Sequence, residues 1–445
     1  MTNLLVPKVS ITEVTELMTT PSTTDVVVGI IWTSEKWTAD QVYTISSISE
    51  ADTIFGSNYA YWASLVPMIR KAFWEWAGVI RAISIWAPTM DVATAAAEWT
   101  LTADSAAWVS VVTVADATIY TGWDIVYVWT GNTYDKQEKL IVDTWVGTTV
   151  TFTTALKYDH YIGETAKIVT VKADGDYTNA IAAMEADESK SVVVSESNSV
   201  AVAAAITTMC TNSTTLNWIP CVYIQWAEDG DDAAAMLVKA TTANSDRVII
   251  PFPLLIDFNW NTVSGWETAA ALAGTIVWNG LPKLNHNFTE FVWFWGVEAS
   301  GTDLDSLIEW GITPIELKYG TIHIVRFVTT SITKEGVPDT TWREAAIRLN
   351  VDIIEKTIWD NIRQLYMQKG NTPQIRESIK QKIISLLDIF AWNDILIADA
   401  NTNTPAYREP IVTTDANDDS KINIDIAVSP GKPLNFITLN FKVAL

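Results

Sequence analysis

The sequence has few of the residues from which active sites and disulfide frameworks are built. Its 445 residues include two cysteines, Cys210 and Cys221, and three histidines, His160, His286 and His323. Two cysteines outside any CxxC or Cys/His cluster indicate a reduced compartment rather than a disulfide framework. The histidines are isolated from any nucleophile, and no GxSxG, HExxH, GxxxxGK or GxGxxG pattern occurs. We therefore predict no enzymatic activity and no cofactor.

Basic residues and long apolar runs are also scarce. The chain has 29 Lys and Arg against 52 Asp and Glu, a formal net charge of -23, which would repel a phosphate backbone or an anionic membrane. Of these, 13 basic and 15 acidic residues lie in 331–445, so nearly all the acidic excess falls in 1–330. No stretch reaches the roughly 18 apolar residues of a membrane span, and the start lacks a signal-peptide pattern. We expect no nucleic-acid binding, no standard secretion and no membrane insertion.

Two acidic stretches could hold a cation, and both have a simpler explanation. Residues 415–421 place oxygen ligands at positions 1, 3 and 5 of a calcium loop, but Ser420 stands where the turn needs Gly and Ile426 where the bidentate Glu belongs. A solvated turn before a strand is the favoured interpretation. Residues 228–232 precede a predicted helix at 233–238, where acidic side chains favour the positive end of the helix dipole. We predict no metal site.

The chain is long enough for roughly three domains of about 150 residues. Apolar residues make up 49% and charged residues 18%, which is typical of ordered globular proteins. Residues 26–31 form a continuous apolar run, typical of a strand buried on both faces of a sheet. Apolar residues at helical spacing from 65 to 76 then predict a helix that Gly78 ends, and 78–85 predict the next strand.

The pattern of residue types changes twice in the middle of the chain. Residues 97–171 consist of short Thr/Val-rich runs separated by turn signals, which predicts an inserted all-β domain. Alternation of helix and strand then returns up to residue 330 and predicts a doubly wound α/β core around the insertion. The helices are predicted at 177–186, 200–210 and 266–278, and the strands at 191–194, 221–224 and 247–250.

The C-terminal quarter has the clearest periodicity. Isoleucine and other apolar residues recur every three or four positions from 347 to 365 and from 375 to 390, which predicts two helices joined by a turn at 370–373. Alternation at period 2 follows, over 422–428 and 437–443. The predicted class is α/β, with these domains: an extended arm 1–24, core 25–96, all-β insert 97–171, core 172–330, and an α+β C-terminal domain 331–445 that ends in a strand arm.

Two ordered series of segments stand at the ends of the chain. The first runs from 27 to 56 and includes VVGII, TSEK and ADTIFG. The second includes Thr341-Trp342-Arg343 before the first long helix, Thr372-Pro373 before the second, and Val428-Ser429-Pro430 before the last strand. In these segments the chain resembles contractile phage tail sheath proteins. The resemblance covers roughly residues 1–90 and 171–445, while the β insert matches only in kind. The order of these segments, rather than any single motif, carries the resemblance.

The resemblance implies a structural subunit that forms a helical cylinder around a tail tube and contracts to drive the tube through a cell envelope. It implies partnership with copies of itself, the tube protein, and baseplate and tail terminator proteins, in a virion tail assembled in the host cytoplasm. The residues themselves suggest how copies would join, because strand-patterned arms without a local partner can add to a sheet in another subunit. The predicted arm residues are Val6, Val9, Ile11, Val14, Ile437, Leu439, Phe441 and Val443. Pairing of both arms within their own chain is the alternative.

A basic segment stands out in this acidic chain. The segment from 363 to 382 contains five basic residues and one acidic residue, Glu377. Because the C-terminal quarter is balanced in charge, we expect it to face the tube and these residues to contact an acidic tube surface through salt-sensitive contacts. The candidates are Arg363, Lys369, Arg376, Lys380 and Lys382. A solvated basic helix face is the alternative.

Tryptophan is the one residue type in unusual excess. It occurs 22 times, repeatedly in loops where turn chemistry or the family pattern favours glycine, as at Trp32, Trp129, Trp226, Trp260 and Trp293. A tryptophan needs a large covered surface and does not adopt positive φ cheaply. Two interpretations stay open: some of these positions are not tryptophan in the natural protein, or a tryptophan-rich surface packs between subunits.

Two other classes of protein remain to be weighed. A surface-layer or fibre subunit would also self-assemble, but we expect such a subunit to carry a secretion signal, and the start of this sequence lacks a signal-peptide pattern. An α/β enzyme would need a nucleophile, a base or a cofactor loop, and the sequence shows no such pattern.

Overall fold

The computed structural model describes most of the chain between residues 27 and 431. The described ranges are 27–34, 40–56, 65–85, 101–115, 117, 122, 125–130, 133–156, 159–162, 164–168, 174–187, 189–217, 219–228, 231–279, 286–298, 303–338, 342–366, 369–398, 404–417, 419 and 421–431. The predicted strand arms, with all eight arm residues named above, lie outside these ranges.

Helices and strands alternate along most of the described chain. The helices are α1 (Ile48–Phe55), α2 (Leu65–Trp74), α3 (Thr178–Ala186), α4 (Val200–Asn217), α5 (Ala233–Ala243), α6 (Gly265–Asn279), α7 (Leu304–Glu309), α8 (Ala345–Tyr366) and α9 (Pro373–Trp392). The strands up to residue 200 are β1 (Val28–Trp32), β2 (Val42–Ile45), β3 (Ile80–Ser84), β4 (Val111–Thr113), β5 (Ile125–Thr130), β6 (Thr133–Val146), β7 (Thr149–Phe152), β8 (Thr165–Ile168) and β9 (Val192–Ser195). The later strands are β10 (Val222–Ile224), β11 (Val248–Ile249), β12 (Pro251–Phe252), β13 (Leu255–Ile256), β14 (Glu290–Phe291), β15 (Gly296–Val297), β16 (Thr313–Lys318), β17 (Thr321–Ile324), β18 (Thr333–Lys334), β19 (Val337–Pro338), β20 (Ile411–Thr414) and β21 (Ile422–Asp425).

A six-stranded sheet forms the centre of the molecule. Its order is β11-β10-β9-β1-β3-β2, with every pair parallel except the edge pair β2–β3. All five residues of β1 are buried. Alternate residues enter two different cores, since Ile30 packs on one face and Ile31 on the other. The continuous apolar run predicted as a doubly buried strand therefore has helices on both of its sides.

Each face of this sheet has its own set of helices. Residues of α2, α6, α8 and α9 contribute to the core on one face, and residues of α3, α4, α5 and α7 to the core on the other. The two C-terminal helices therefore share a hydrophobic core with the central sheet. The prediction of a mixed α/β fold is confirmed, and the domain boundaries stay predictions.

A second sheet lies between β3 and β9 in the chain. Its five strands are all antiparallel, in the order β4-β7-β6-β5-β8. It has a separate small core that includes Leu101, Val112, Leu140, Val142 and Phe152. The burial of β7 alternates between partly exposed and buried residues, as expected for a sheet with one wet face.

Helices α1 and α4 differ from the sequence prediction, and the short helix α7 was not predicted either. Helix α1 was not predicted, although its start carries a capping signal: the Ser47 side chain accepts from the Glu50 backbone N–H, and the Glu50 carboxylate accepts from the Ser46 N–H. Helix α4 continues to Asn217 instead of ending at Cys210. Its threonine hydroxyls donate to carbonyls one turn back, as in Thr215 to Thr211, so polar residues continue the helix instead of breaking it.

Candidate assembly surfaces

The three histidines lie apart and are held by structural contacts. His160 is buried, with its Nδ1 2.6 Å from Glu164 Oε2. His323 on β17 has its Nε2 3.1 Å from Glu316 Oε1 on the neighbouring strand. His286 is buried against the ring of Phe327, with centroids 5.2 Å apart.

The two cysteines are close together but free. Their sulfur atoms are 3.1 Å apart in the core between α4 and the central sheet. Burial raises the pKa of the Cys210 thiol well above its usual range, which keeps it protonated and a weak nucleophile. This pair therefore packs as small apolar side chains.

The two acidic stretches serve the local backbone. Asp232 caps helix α5 by accepting from the Ala235 N–H, and Asp231 pairs with Lys239 at 2.6 Å. Asp415 opens the β20–β21 turn and accepts from the Asn417 N–H at 2.9 Å. Hydrogen bonds from Asn417, then Asn423 and Lys421, lower the pKa of Asp415 to about 2. Across the described ranges, no group of three or more His, Cys, Asp or Glu side chains is arranged to hold a metal ion.

No helix within the described ranges is both long and apolar enough to cross a membrane.

The five basic candidates run from the last turn of α8, through the connection, into α9, and several have partners. Arg363 and Lys369 are exposed, and Lys369 Nζ lies 5.0 Å from the centre of the Tyr366 ring. Arg376 Nη1 donates to Asn371 Oδ1 at 2.8 Å. Lys380 is paired with Glu409, and this hydrogen bond raises the pKa of Lys380. Burial lowers the pKa of Lys382. Part of the predicted basic face is therefore neutralised within the chain.

Within the part of the chain that the structure describes, the β20–β21 hairpin has open backbone edges. Four residue pairs join its strands, from Ile411 with Asp425 to Thr414 with Ile422. Its apolar side chains Val412, Ile422 and Ile424 pack against the core that contains α8 and α9. Among the described residues, the ladder is two-stranded, so each strand has one edge without a further strand. Such edges can accept an added strand.

Sequence reasoning missed a buried ionic cluster that joins α8 to the central sheet. Asp352 is buried on α8 and accepts from Arg348 Nε at 3.0 Å and from Arg247 Nη2 at 3.0 Å. Arg247 directly precedes β11 at the edge of the six-stranded sheet. The available signal was a charged pair at spacing i, i+4 within an isoleucine-rich helix face.

Comparison with known proteins rests on structure alone. No family model and no curated protein matches the sequence.

Solved structures match nearly the whole chain. A sheath tail protein from Desulfitobacterium hafniense aligns with a TM-score of 0.58 and 11% identity, over 91% of this chain and 92% of the other. The helical sheath of the anti-feeding prophage in its contracted state gives 0.59 and 13%, over 94% and 93%. The contracted sheath complex of an extracellular contractile injection system, PVC, gives 0.57 and 12%, over 94% and 92%. The chain therefore has the fold of contractile sheath proteins, the fold that its sequence resemblance predicts.

Proposed function

We propose that this chain is the sheath subunit of a contractile tail or injection machine. It assembles with copies of itself into a helical cylinder around a tail tube, and contraction of the cylinder drives the tube through a cell envelope. The observation that carries the proposal is the match over more than nine tenths of both chains to sheath proteins, including a contracted helical sheath. The role is structural rather than enzymatic.

Strand exchange is the proposed link between subunits. The arms at 4–14 and 434–443 have strand patterning, and the open edges of the β20–β21 hairpin could accept them. Main-chain hydrogen bonds of this kind would keep neighbours joined while the lattice changes its dimensions. The proposed partners are further copies, the tube protein, baseplate and terminator proteins, and the proposed location is a virion tail assembled in the host cytoplasm.

Electron microscopy of the purified protein in negative stain tests the main proposal. Long hollow cylinders are the expected result, whereas discrete particles at high protein concentration would contradict a sheath.

Removal of residues 1–14 tests the arm. The expected product is a folded monomer that no longer polymerises, because the arm precedes the first core strand. Removal of residues 2–3, which lie before the predicted strand, is the matched control and should leave polymers intact.

Ile437→Pro or Leu439→Pro should likewise block assembly with little change in melting temperature, since proline removes a ladder donor. Polymers formed without either arm would show that strand exchange is wrong.

Charge reversal tests the tube-facing surface. Arg376→Glu combined with Lys380→Glu should weaken association with tube protein while cylinders without a tube still form. Lys356→Glu, on α8 outside the basic segment, reverses one partly buried charge that is about as exposed as that of Lys380, and is the control. Unchanged co-assembly of the double variant across a range of salt would exclude this surface.

A further inference from the structure

Three tryptophans have a backbone conformation that suits glycine. Trp76, Trp108 and Trp260 have φ of 71°, 71° and 66°. In this left-handed region Cβ crowds the backbone of any L-residue, which glycine avoids because it has no Cβ. Asn and Asp visit this region more often than other non-glycine residues, but tryptophan has no short polar side chain to compensate.

Trp76 occupies the glycine position of a helix C-terminus. The Ala77 N–H donates to the Ala72 carbonyl at 3.0 Å and the Trp76 N–H to the Phe73 carbonyl at 3.0 Å, which together form a Schellman motif after α2. The residue in the left-handed conformation of that motif is usually glycine.

Helix α7 of the same chain ends in the same motif with glycine. There the Ile312 N–H donates to the Leu307 carbonyl at 3.0 Å and the Gly311 N–H to the Ile308 carbonyl at 3.1 Å. Gly311 has φ of 77°, close to the value at Trp76. Two helix ends with one geometry therefore carry glycine in one case and tryptophan in the other.

Trp260 and Trp108 stand at the glycine positions of two different turns. After β13, the Trp260 N–H donates to the Asp257 carbonyl at 3.1 Å and the Asp257 N–H to the Asn261 carbonyl at 3.0 Å. This is a three-residue hairpin loop whose last residue is left-handed, a position that favours glycine.

The turn at Trp108 is of a different type but also requires positive φ at one residue. The Val109 N–H donates to the Ala106 carbonyl at 3.4 Å, and Trp108 is the third residue of this turn. Positive φ at the third residue but not at the second defines a type II turn, which calls for glycine at that place.

The indole rings gain little for this backbone cost. Trp76, Trp108 and Trp260 are 49%, 83% and 71% exposed. Among the described residues, the ring of Trp76 contacts that of Trp278 and the ring of Trp260 contacts that of Trp295, and both partners are themselves exposed.

Two other tryptophans show what a functional indole does in this fold. Trp226 donates its Nε1 to the Ser195 carbonyl at 2.8 Å. Trp342 supports the Arg348 guanidinium, which lies 4.3 Å from its ring centre, and neither residue has positive φ. The positive-φ tryptophans therefore differ from these two in backbone, in exposure and in contacts.

We propose that the polypeptide made in its own cell carries glycine at positions 76, 108 and 260. The three sites share no sequence context and no turn type, but all three carry tryptophan, which a codon that the cell reads as glycine would explain. Phe288 and Tyr319 also have positive φ, at 60° and 55°, and this explanation does not extend to them. The rival explanation is that the three indoles pack between subunits, in which case glycine variants would fold but fail to assemble.

The test compares glycine and alanine at the same position in the full chain. Trp108→Ala and Trp108→Gly both remove the indole, but only glycine relieves the positive φ. The glycine variant should have an unfolded-to-folded ratio about fivefold lower than the alanine variant, measured by denaturant unfolding. Gly147→Ala, at an open turn with φ of 63°, should raise the ratio by a similar factor and calibrates the method. Trp342→Gly should lower stability.

Assembly supplies the second measurement. Under our proposal the triple variant Trp76→Gly, Trp108→Gly and Trp260→Gly is at least as stable as the chain with the three tryptophans and forms cylinders at least as readily. A triple variant that folds but fails to assemble would overturn the proposal in favour of a tryptophan-mediated contact. So would equal stability of the glycine and alanine variants at position 108.

The gene and the natural protein give a direct answer. The codons at 76, 108 and 260 should be UGA rather than the standard tryptophan codon UGG, and peptides from protein isolated from its own source should have glycine masses at these positions. UGG codons, or tryptophan masses, at the three positions would show that the proposal is wrong.

Discussion

The central six-stranded sheet and the antiparallel five-stranded sheet bury their residues differently. In β1 all five residues are buried, and successive residues feed two separate cores. In β6 of the antiparallel sheet, Leu140 is buried, whereas the next residue, Ile141, is 37% exposed. In a strand covered on both faces every side chain is buried, while in a strand covered on one face every second side chain is exposed to solvent.

The two regions also bury titratable groups differently. In the core that the central sheet shares with α8 and α9, the buried Asp352 pairs with Arg348 and with the distant Arg247, whereas in the region of the antiparallel sheet the buried pair of His160 and Glu164 spans only four residues. A substitution in the first region should therefore affect the whole molecule, and one in the second region should act locally.

The largest expected effect comes from Asp352→Ala. Removing this carboxylate leaves Arg247 and Arg348 buried without their shared partner, which should cost about 3–5 kcal/mol of the free energy of unfolding. Guanidinium chloride unfolding measures the loss. Asp360→Ala is the control on the same helix, because Asp360 forms an exposed pair with Lys356 at 3.0 Å and should cost less than about 1 kcal/mol. Equal effects at both positions would show that the buried cluster does not join α8 to the sheet.

Leu140→Ala should have the next largest effect, confined to the antiparallel sheet. The loss of a buried leucine in a small core should cost about 2–4 kcal/mol. Hydrogen exchange should show lost protection in β4 to β8 while amides of β1 and β9 stay protected. Ile141→Ala, on the exposed face of the same strand, should change stability by less than about 1 kcal/mol. Lost protection in β1 would contradict independent cores.

Glu75 gives a pH-dependent test of burial in the shared core. Burial raises the pKa of Glu75, although hydrogen bonds from the Trp293 and Val292 backbone N–H groups oppose the shift. The folded state therefore binds this proton more tightly, so the contribution of Glu75 to stability falls as pH rises from 4.5 through its raised pKa.

Glu75→Gln should remove that pH dependence and should be no less stable than the parent at pH 8. Glu75→Ala should cost about 1–3 kcal/mol below pH 4.5, because the two backbone donors lose their acceptor, and the cost should fall as pH rises. A glutamine variant that keeps the parent's slope between pH 4.5 and 8 would contradict the assignment.

The smallest effect is expected at the surface hairpin. The pKa of Asp415 is lowered to about 2 from an ordinary value of 3.8, so the stability it contributes is present above pH 3.8 and is lost as pH falls through about 2. The difference in melting temperature between the parent and Asp415→Ala should be small at pH 7 and smaller at pH 3. Added calcium should leave the melting temperature unchanged, since the carboxylate already holds Asn417, Asn423 and Lys421. A melting temperature that rises with calcium would support the interpretation of residues 415–421 as a calcium loop.

Local signals in the sequence were sufficient for much of the fold. The predicted strand run at 26–31 became β1, and the isoleucine periodicities became α8 and α9, with Thr372 as the cap and Pro373 at the first turn of α9. Helix α1 was missed because it is only eight residues long, although Ala51 and Phe55 recur at helical spacing and are buried, and the end of α4 was placed too early because threonines suggested a loop. The terminal arms and the basic tube-facing residues stay predictions.

Other features depend on residues far apart in the chain. The contact between Arg247 and Asp352 joins positions separated by more than a hundred residues, and nothing near either one indicates the other. Lys380 was predicted to contribute free charge, but the ion pair with Glu409 could be found only once the β20–β21 region had packed against α9.

The sequence by itself determined most of the longer helices, five of the six central strands, which faces are apolar and where charge accumulates, because these follow from the spacing of residue types along the chain. Only the tertiary structure decided the strand order, the sharing of one core by the central sheet and the C-terminal helices, and the partners of the buried charges. It also showed the positive φ at Trp76, Trp108 and Trp260. Periodicity is a local property that a residue's neighbours in the chain define, whereas pairing, burial and backbone strain depend on groups that meet only when the chain has folded.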